Sequence, residues 1–386
     1  MTKENNFIGS CIIVGGGPAG TNVARSIVKA AGGSVEITIV DRQNYLDWSL
    51  ASPRMLVQPD DIDKYGYVMP LDKVCEHIAG RHGKIQFRQG AVSHIGAKSV
   101  VLQDGTTLTA DCVVIAIGGH YKSGGIWKPT PDQTTKESRI AAMRVLKEKL
   151  AKAHHILITG AGPTGVEVAG EIKSEFPDCT VTIVGTMLPN ATEAAQVRMK
   201  AALEGMGVIC MEGRVDVDAP DSDGNVKTRD GETIAKVDLI LNAAGFAFAG
   251  AELADDTIKV DLTPQGQFNC QRTLQLEHCE TVFVCGDILA VPEGCFADVK
   301  GMKHADDTAQ VVGKNLALLL QQKKLVEFKW SKTAITKPMM TALGPAVGVG
   351  FLGLPAFMED WMCRTFKCKD YYVSMKAKLY GKGKTW

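Results

Sequence analysis

The sequence predicts an α/β protein with two Rossmann-like dinucleotide-binding folds and a C-terminal α+β segment. Three observations favour this class. A glycine-rich turn joins a short apolar strand to a helix twice, at residues 15–20 and 160–165. A third apolar strand, at residues 281–285, ends in Gly286-Asp287. The length of 386 residues suits two or three domains.

Composition argues against several other classes. Hydrophobic residues make up 45% and charged residues 22% of the chain, which is typical of a soluble globular protein. The 43 basic and 43 acidic residues cancel, so the chain lacks the positive charge expected of a protein that binds nucleic acid. The eleven cysteines are scattered without zinc-ligand spacing, which predicts reduced thiols and no metal site.

The first glycine-rich turn is expected to hold a dinucleotide. A strand at residues 11–14 precedes it, a helix at residues 21–31 follows it, and a second strand ends at Asp41. In this motif the first glycine permits the tight turn, the second admits a pyrophosphate, and the third lets helix and strand pack closely. The acid accepts hydrogen bonds from ribose hydroxyls. The alternative is an ordinary strand-to-helix turn. The candidate residues are Gly15, Gly16, Gly17, Pro18, Ala19, Gly20 and Asp41.

The second turn repeats the same order of elements. Strands are predicted at residues 155–159 and 180–184, with a helix between them. Each copy is followed by a predicted hairpin with an Asp-Gly turn, at residues 104–105 and 230–231. Two unrelated turns would not reproduce this order, so a second dinucleotide-binding fold is predicted. The candidate residues of its turn are Gly160, Gly162 and Gly165.

Together with Gly286-Asp287, the two glycine motifs resemble those of the two-dinucleotide-binding-domain flavoproteins. The resemblance implies that the first fold binds FAD and that the second, inserted into it, binds NAD(P)H. It also implies that Asp287 contacts the ribityl and phosphate region of FAD; a strand-terminal turn residue is the alternative. The implied boundaries are residues 8–125 and 257–328 for the two parts of the FAD-binding domain, 126–256 for the NAD(P)H-binding domain, and 329–386 for a C-terminal domain that contacts a membrane.

Several stretches resemble one branch of these flavoproteins, the apoptosis-inducing-factor-like proteins of the ferroptosis suppressor type, which are similar to type II NADH:quinone oxidoreductases. They include residues 51–54, 87–92 and 165–172. The resemblance implies that Arg54 contacts FAD, that the backbone of Val92 meets the adenine, and that Glu167 lies near the nicotinamide. The alternatives are a solvated Arg54 and a Glu167 that merely favours the helix dipole.

Disulfide chemistry is not predicted. Between Asp41 and Val92 the chain has only Cys75, so it lacks the redox Cys-x4-Cys pair of glutathione-reductase-like members. Cys363 and Cys368 have that spacing, but they lie near the C-terminus. Among eleven cysteines, coincidence is the better account of this pair.

A helix is predicted after Gly286-Asp287, running through His304. In the flavoproteins that the chain resembles, such a helix points its N-terminus at the pyrimidine end of the flavin, where it stabilises negative charge. Lys300 and His304 are the candidate residues for electrostatic assistance. A plain surface helix is the alternative.

The second fold departs from the usual pattern at its acid position. Twenty residues after Gly165, Gly185 stands where a fold specific for NADH carries Asp or Glu. The missing carboxylate removes the repulsion of a 2′-phosphate, yet no arginine follows in residues 186–190. Tolerance of both NADH and NADPH is therefore predicted.

The C-terminal region raises the question of a membrane. Residues 338–358 contain no charged residue, a length that suits a spanning helix. Three prolines and several glycines favour short strands and turns instead. From Arg364 onward, one arginine and six lysines stand against one aspartate, interleaved with aromatic residues. This mixture suits an anionic membrane surface and a solvated tail equally well.

These features and the resemblance imply an FAD-dependent NAD(P)H oxidoreductase that passes a hydride from NAD(P)H to flavin and then electrons to a quinone. Two alternatives stay open: a reductase of a protein electron carrier of the ferredoxin or rubredoxin type, and a slow redox-signalling or apoptosis-related flavoprotein. The N-terminal residues show neither an apolar signal-peptide core nor an arginine-rich presequence. A cytoplasmic protein is expected, in solution or peripheral on a membrane.

Overall fold

Two largely parallel sheets form the frame of the protein. The computed structural model describes residues 7–81, 83–121, 126–295, 301–331, 339–351, 357–358 and 360–380. Within these residues, the strands in chain order are β1 (Gly9–Val14), β2 (Val35–Asp41), β3 (Tyr45–Asp47), β4 (Val68–Pro70), β5 (Lys84–Gln89), β6 (Val92–Ile95), β7 (Ser99–Leu102), β8 (Thr107–Thr109), β9 (Cys112–Ile115), β10 (His120–Tyr121), β11 (His155–Thr159), β12 (Thr180–Val184), β13 (Val208–Met211), β14 (Val226–Lys227), β15 (Thr233–Ile234), β16 (Leu239–Asn242), β17 (Phe246–Ala247), β18 (Gln275–Leu276), β19 (Cys279–Val284), β20 (Met339–Ala342), β21 (Gly348–Phe351) and β22 (Phe357–Met358).

The α-helices lie between these strands and after them. In chain order they are α1 (Pro18–Ala31), α2 (Ser52–Val57), α3 (Ile62–Tyr65), α4 (Leu71–Ala79), α5 (Lys136–Lys152), α6 (Pro163–Glu175), α7 (Glu193–Gly205), α8 (Met302–Leu320), α9 (Asp360–Cys363) and α10 (Val373–Tyr380). A π-helical turn, Arg364–Cys368, follows α9 directly. Such turns are rare and are frequently found at functional sites.

The first sheet, in the order β18-β19-β9-β1-β2-β5, takes its strands from two separate stretches of the chain, residues 9–115 and 275–284. All its neighbouring strands are parallel except β18 and β19. The second sheet, in the order β13-β12-β11-β16, is wholly parallel and lies between β9 and β18 in the chain. The second fold is therefore inserted into the first, which confirms the predicted fold class. The residue boundaries assigned to the domains stay predictions.

The register of the two sheets aligns the two glycine turns. In the first sheet Val14 pairs with Val40, and in the second Thr159 pairs with Val184. Each turn therefore begins beside the end of the following strand. Asp41 and Gly185 come next in the chain, so they hold corresponding positions in the two folds.

Short antiparallel pairs complete the two folds. The hairpins β7–β8 and β14–β15 carry the predicted Asp-Gly turns, in which Gly105 and Gly231 have φ values of +84° and +91°. The two chain crossings between the folds pair with each other as β10 and β17, with Tyr121 opposite Phe246.

The C-terminal segment is a small sheet followed by helical turns. Strands β20, β21 and β22 pair antiparallel, in agreement with the expectation of short strands in the uncharged stretch. Among the described residues, no helix has the length and apolar character needed to cross a membrane. The basic, aromatic stretch is not a solvated tail over residues 364–380, because Lys367, Tyr371 and Tyr380 are buried in it.

Candidate functional site

The first glycine turn has the shape that a pyrophosphate requires. Gly15 has a φ of +111°, and a Cβ on Gly20 would lie 1.9 Å from the carbonyl oxygen of Gly15. Among the described atoms, none lies within 4 Å of the position that a Cβ would take on Gly17. Gly17 caps α1 without a side-chain hydrogen bond. The first N–H groups of α1 therefore face open space, where they can bind phosphate oxygens.

Asp41 lies directly beside this turn. Its carboxylate accepts hydrogen bonds from the N–H groups of Gly16, at 2.6 Å, and Gln43, at 2.9 Å. Burial raises the pKa of the carboxyl above its ordinary value, and these two hydrogen bonds oppose the shift. The Asp41 carbonyl accepts from the N–H of Gly90 at 2.8 Å, which brings the start of β6 and Val92 near the same place. The role of the Val92 backbone at the adenine stays a prediction.

The second turn repeats this geometry. A Cβ on Gly165 would lie 1.9 Å from the carbonyl oxygen of Gly160, and the Cβ position of Gly162 faces open space among the described atoms. Gly162 also caps its helix, α6, without a side-chain hydrogen bond. The acid position differs, because Gly185 has a φ of +142° and its Cβ would lie 2.9 Å from the Ala161 nitrogen. The backbone itself therefore disfavours a side chain there.

Asp287 follows a turn at the end of β19 in which Gly286 has a φ of +76°. The Asp287 carboxylate lies 3.6 Å from the ammonium of Lys128, and both side chains are about one-quarter exposed. The N–H of Gly286 donates to the Thr308 hydroxyl at 3.1 Å, which ties α8 to this turn. Thr308, in the second turn of α8, is thereby held beside the turn that carries Asp287.

Of the two residues predicted to assist from the start of α8, the structure describes only His304. His304 is buried in the first turn of α8, and its ring centroid lies 6.0 Å from that of Trp330. The predicted helix is present, and it is not a plain surface helix at this point. Lys300 lies outside the described residues. Electrostatic assistance from either residue stays a prediction.

Glu167 is buried on α6, two residues after the second turn, where it forms an ion pair with Lys367 of the π-helical turn. Lys367 also donates to the Met340 carbonyl at 2.7 Å. Burial raises the pKa of the Glu167 carboxyl, and the charge of Lys367 opposes the shift. A buried pair of this kind needs further hydrogen bonds to offset its desolvation. Glu167 is therefore not merely a surface charge that favours the helix dipole.

Arg54 lies in a second buried ion pair, one helical turn away. Its guanidinium donates to both carboxylate oxygens of Glu171, at 2.6 and 2.7 Å, and to the Cys368 carbonyl at 3.0 Å. The Tyr371 hydroxyl donates to the same carboxylate at 2.9 Å. Arg54 is 2% exposed, so it is not a solvated surface residue. Its predicted contact with FAD stays a prediction.

Three residues of this cluster were not identified from the sequence: Glu171, Lys367 and Tyr371. One signal was available, because Glu167 and Glu171 are four residues apart and so share one face of α6. Two carboxylates on one buried face require cations nearby. The sequence could not show which cations these are, because Arg54 and Lys367 are each more than 110 residues from their carboxylate partner in the chain.

The eleven cysteines all lie within the described residues, and none of them forms a disulfide bond. Burial raises the pKa of the Cys75 and Cys368 thiols to about 12, which makes them poor nucleophiles at neutral pH. The Cys368 thiol donates to the Val347 carbonyl at 3.2 Å. Within the described residues, no group of three His, Cys, Asp or Glu side chains is placed to hold a metal ion.

The geometry agrees with known proteins. The family model described as "Pyridine nucleotide-disulphide oxidoreductase" matches residues 9–310. An oxidoreductase named ptaL from Pestalotiopsis fici is 27% identical over 92% of this chain and 95% of its own length. Ferroptosis suppressor protein 1 from Taeniopygia guttata is 25% identical over 96% of this chain and 95% of its own length.

Solved structures share the fold at lower identity. The sulfide:quinone oxidoreductase of Aquifex aeolicus superposes with a TM-score of 0.72 at 16% identity, over 97% of this chain and 92% of its own. NDH2 from Plasmodium falciparum, solved with NADH, gives a TM-score of 0.68 at 14% identity, over 97% of this chain and 99% of its own. The two glycine turns, each open above a helix N-terminus, fit the dinucleotides FAD and NAD(P)H, which are the cofactors of this oxidoreductase.

Proposed function

Because the chain belongs to the pyridine nucleotide-disulphide oxidoreductase family, we propose that it is an FAD-dependent NAD(P)H oxidoreductase that reduces a quinone. FAD, when bound, takes a hydride from NAD(P)H and passes the electrons to the acceptor. In this proposal the first turn and Asp41 hold the adenosine and phosphates of FAD, with the backbone of Val92 at the adenine. Asp287 and Arg54 serve the flavin half of the cofactor.

The second turn holds the pyrophosphate of NAD(P)H at the N-terminus of α6. Glu167 lies about one helical turn further along α6 and would be near the nicotinamide. The buried ion pair between Glu167 and Lys367 is the observation that carries the proposal. In it a cation from the C-terminal segment pairs with a carboxylate on α6 of the second fold, and the carboxylate orients the cation.

Lys367 has a defined chemical part in this arrangement. Its Nζ is buried beside the Glu167 carboxylate, whose pKa is raised by burial. A fixed ammonium there stabilises negative charge that develops on a reduced ring system, since electrostatic effects strengthen in a buried site. His304 in the first turn of α8, and Lys300, which precedes α8 in the chain, are proposed to add to the same positive potential.

As electron acceptor, a quinone suits the residues around this site better than a disulfide or a thiol does. The thiols of Cys75 and Cys368 are buried and protonated, so they offer no relay for a dithiol reaction. The sheet β20–β22 is built from an uncharged, apolar stretch, and it packs against the helix that carries Glu167 through Leu343 and Gly170. One structural neighbour, by its name, acts on a quinone. An apolar acceptor is therefore proposed to enter beside this sheet.

Peripheral contact with a membrane is proposed at the C-terminal segment, which also contains the sheet β20–β22. Trp361 and Met375 are 55% and 61% exposed, and the exposed basic residues Arg364 and Lys369 lie in the same segment. Exposed apolar side chains next to cations suit an anionic lipid surface. A lipophilic quinone would then reach the protein from the bilayer.

The test is anaerobic reduction of the purified yellow protein by NADH and by NADPH, followed by reoxidation. A short-tailed quinone, ferricyanide and a small iron–sulfur protein are compared as acceptors at equal concentration. We expect bleaching of the flavin absorbance by NAD(P)H and turnover with the quinone at least tenfold faster than with the iron–sulfur protein. Faster turnover with the iron–sulfur protein would favour a carrier reductase, and slow turnover with every acceptor would favour a redox-signalling protein.

A matched pair of variants separates Lys367 from its structural surroundings. Lys367→Arg keeps the positive charge, whereas Lys367→Met keeps the length and removes the charge. If the ammonium stabilises developing charge, Lys367→Met lowers the rate of flavin reduction by NAD(P)H far more than Lys367→Arg at equal FAD content. Equal rates in all three proteins would contradict the role assigned to Lys367.

A further inference from the structure

A continuous line of contacts joins the Asp287 turn to the first turn of α6. The Lys128 ammonium lies 3.6 Å from Asp287 and 4.8 Å from the ring centroid of Phe246. The rings of Phe246 and Tyr121 meet edge to face at 5.1 Å. The Tyr121 hydroxyl lies 3.0 Å from the hydroxyl of Thr164. These residues follow the two chain crossings, so they lie between the two dinucleotide-binding folds.

Thr164 fixes one end of this line in the nucleotide site. It is the second residue of α6 and follows Gly162, above which the Cβ position is open among the described atoms. A pyrophosphate bound at that helix N-terminus would lie beside Thr164. The hydroxyl of Tyr121, 3.0 Å from that of Thr164, is therefore next to the start of α6 where the nucleotide would bind.

Tyr121 is affected electrostatically by one carboxylate from each fold, Asp287 from the first and Glu167 from the second. Burial raises the pKa of the Tyr121 phenol; the hydrogen bond with Thr164 lowers it, and the carboxylates of Asp287 and Glu167 raise it. The phenol is therefore protonated at neutral pH and within electrostatic reach of both acids. It has one O–H to donate and lone pairs that can accept.

We propose that Tyr121 is a substrate-binding residue that orients the nicotinamide ring, a role that rests on the proposed function. Its hydroxyl donates to Thr164 and accepts a hydrogen bond from the carboxamide NH2 of NAD(P)H. Its ring is held edge-on by Phe246. The carboxamide carries the donor that this hydroxyl needs, whereas the rest of the nicotinamide ring offers no strong hydrogen-bonding group. Orienting the ring by its carboxamide selects the face from which the hydride leaves.

The test compares two oxidised nucleotides that differ only at this group. NAD⁺ has the carboxamide NH2, and its 3-acetylpyridine analogue has a methyl group in the same place. Equilibrium dissociation constants are measured for both on the FAD-loaded full chain by the change in flavin absorbance. One hydrogen bond predicts that the unaltered protein binds NAD⁺ about threefold to tenfold more tightly than the analogue. In Tyr121→Phe, which keeps the ring, the two constants should become nearly equal.

Tyr65→Phe is the matched control, because it removes the same atom from a tyrosine that stacks on Tyr67 in the first fold. It should keep the full preference for NAD⁺. An unchanged preference in Tyr121→Phe would overturn the proposal, since the hydroxyl would then not touch the carboxamide. If the flavin of Tyr121→Phe is nevertheless reduced by NADH, the proposed function stands and only the role of Tyr121 is overturned. A yellow protein that binds neither nucleotide and is not reduced by NAD(P)H would overturn both.

Discussion

Arg54 and Glu171 form a bidentate ion pair between the first fold and α6 of the second, with both side chains at most 2% exposed. The Cys368 carbonyl and the Tyr371 hydroxyl add hydrogen bonds from the C-terminal segment. Three separate parts of the chain therefore meet at one pair of charges. Removing one charge from such a site leaves the other buried without compensation.

We expect Arg54→Met to destabilise the protein by about 3–5 kcal/mol, because the Glu171 carboxylate stays buried. The double variant Arg54→Met with Glu171→Leu should recover most of that loss, since no charge remains. Urea unfolding at fixed FAD concentration measures both. Arg144→Met is the control, because its pair with Asp60 is exposed and should contribute under about 1 kcal/mol. Equal destabilisation in the single and double variants would show that the loss of stability comes from altered packing and not from the unpaired charge.

The sequence predicted those parts of the site whose signals are local. Spacing alone identified both glycine turns, Asp41 and the strand before Asp287, because each depends on residues within about 25 positions. It could not identify the Glu167–Lys367 pair, whose members are 200 residues apart and meet only through tertiary packing. The same limit led to the tail from Arg364 being interpreted as surface. Its composition was visible, but the burial of Lys367 and Tyr371 was not.

Retention of FAD should depend on pH through Asp41. Burial raises the pKa of this carboxyl above the ordinary value of about 3.9, so it binds a proton at a higher pH than a solvated aspartate does. The protonated form is a weaker acceptor for ribose hydroxyls. As the pH falls, FAD release measured by ultrafiltration should therefore begin while solvated aspartates are still ionised. Asp41→Asn should bind FAD more weakly at neutral pH and lose this pH dependence. The same acid-induced release in Asp41→Asn would exclude Asp41 as the titrating group.

Asp287→Ala should weaken FAD binding. A charge-assisted hydrogen bond contributes about 1.5–3 kcal/mol, which corresponds to roughly a 10- to 150-fold increase in the dissociation constant. Lys128→Met separates this effect from loss of the ion pair with Lys128, because it leaves the carboxylate in place. Titration of the FAD-free protein measures both. If Lys128→Met weakens FAD binding as much as Asp287→Ala does, the ion pair is what matters, and Asp287 does not bind FAD itself.

Gly185→Glu should impair the second fold instead of converting it to strict NADH use. The φ of +142° and the approach to the Ala161 nitrogen strain any side chain, at a cost of about 1–3 kcal/mol. We expect Gly185→Ala and Gly185→Glu to lower kcat/KM for NADH and NADPH alike. Thr186→Glu is the better test of charge, because Thr186 is exposed and comes next in the chain. Its carboxylate should repel the 2′-phosphate and raise the NADH-to-NADPH ratio of kcat/KM. An unchanged ratio would place the adenosine ribose elsewhere.

Truncation after Asp370 should lower both the FAD content and the stability of the protein. The cut removes Tyr371, which donates to Glu171, and Tyr380, whose ring meets Trp48 edge to face at 5.9 Å. Loss of a buried aromatic side chain from a core lowers the free energy of unfolding by about 3–5 kcal/mol. The first fold should therefore loosen around α1 and α4. A second truncation, after Gly381, keeps α10 and is the matched control. The ratio of flavin to protein absorbance and the melting temperature should fall for the first truncation and stay near the full-length values for the second. If the shorter protein keeps both its FAD and its melting temperature, α10 is dispensable for the fold, and the C-terminal segment acts at the surface alone.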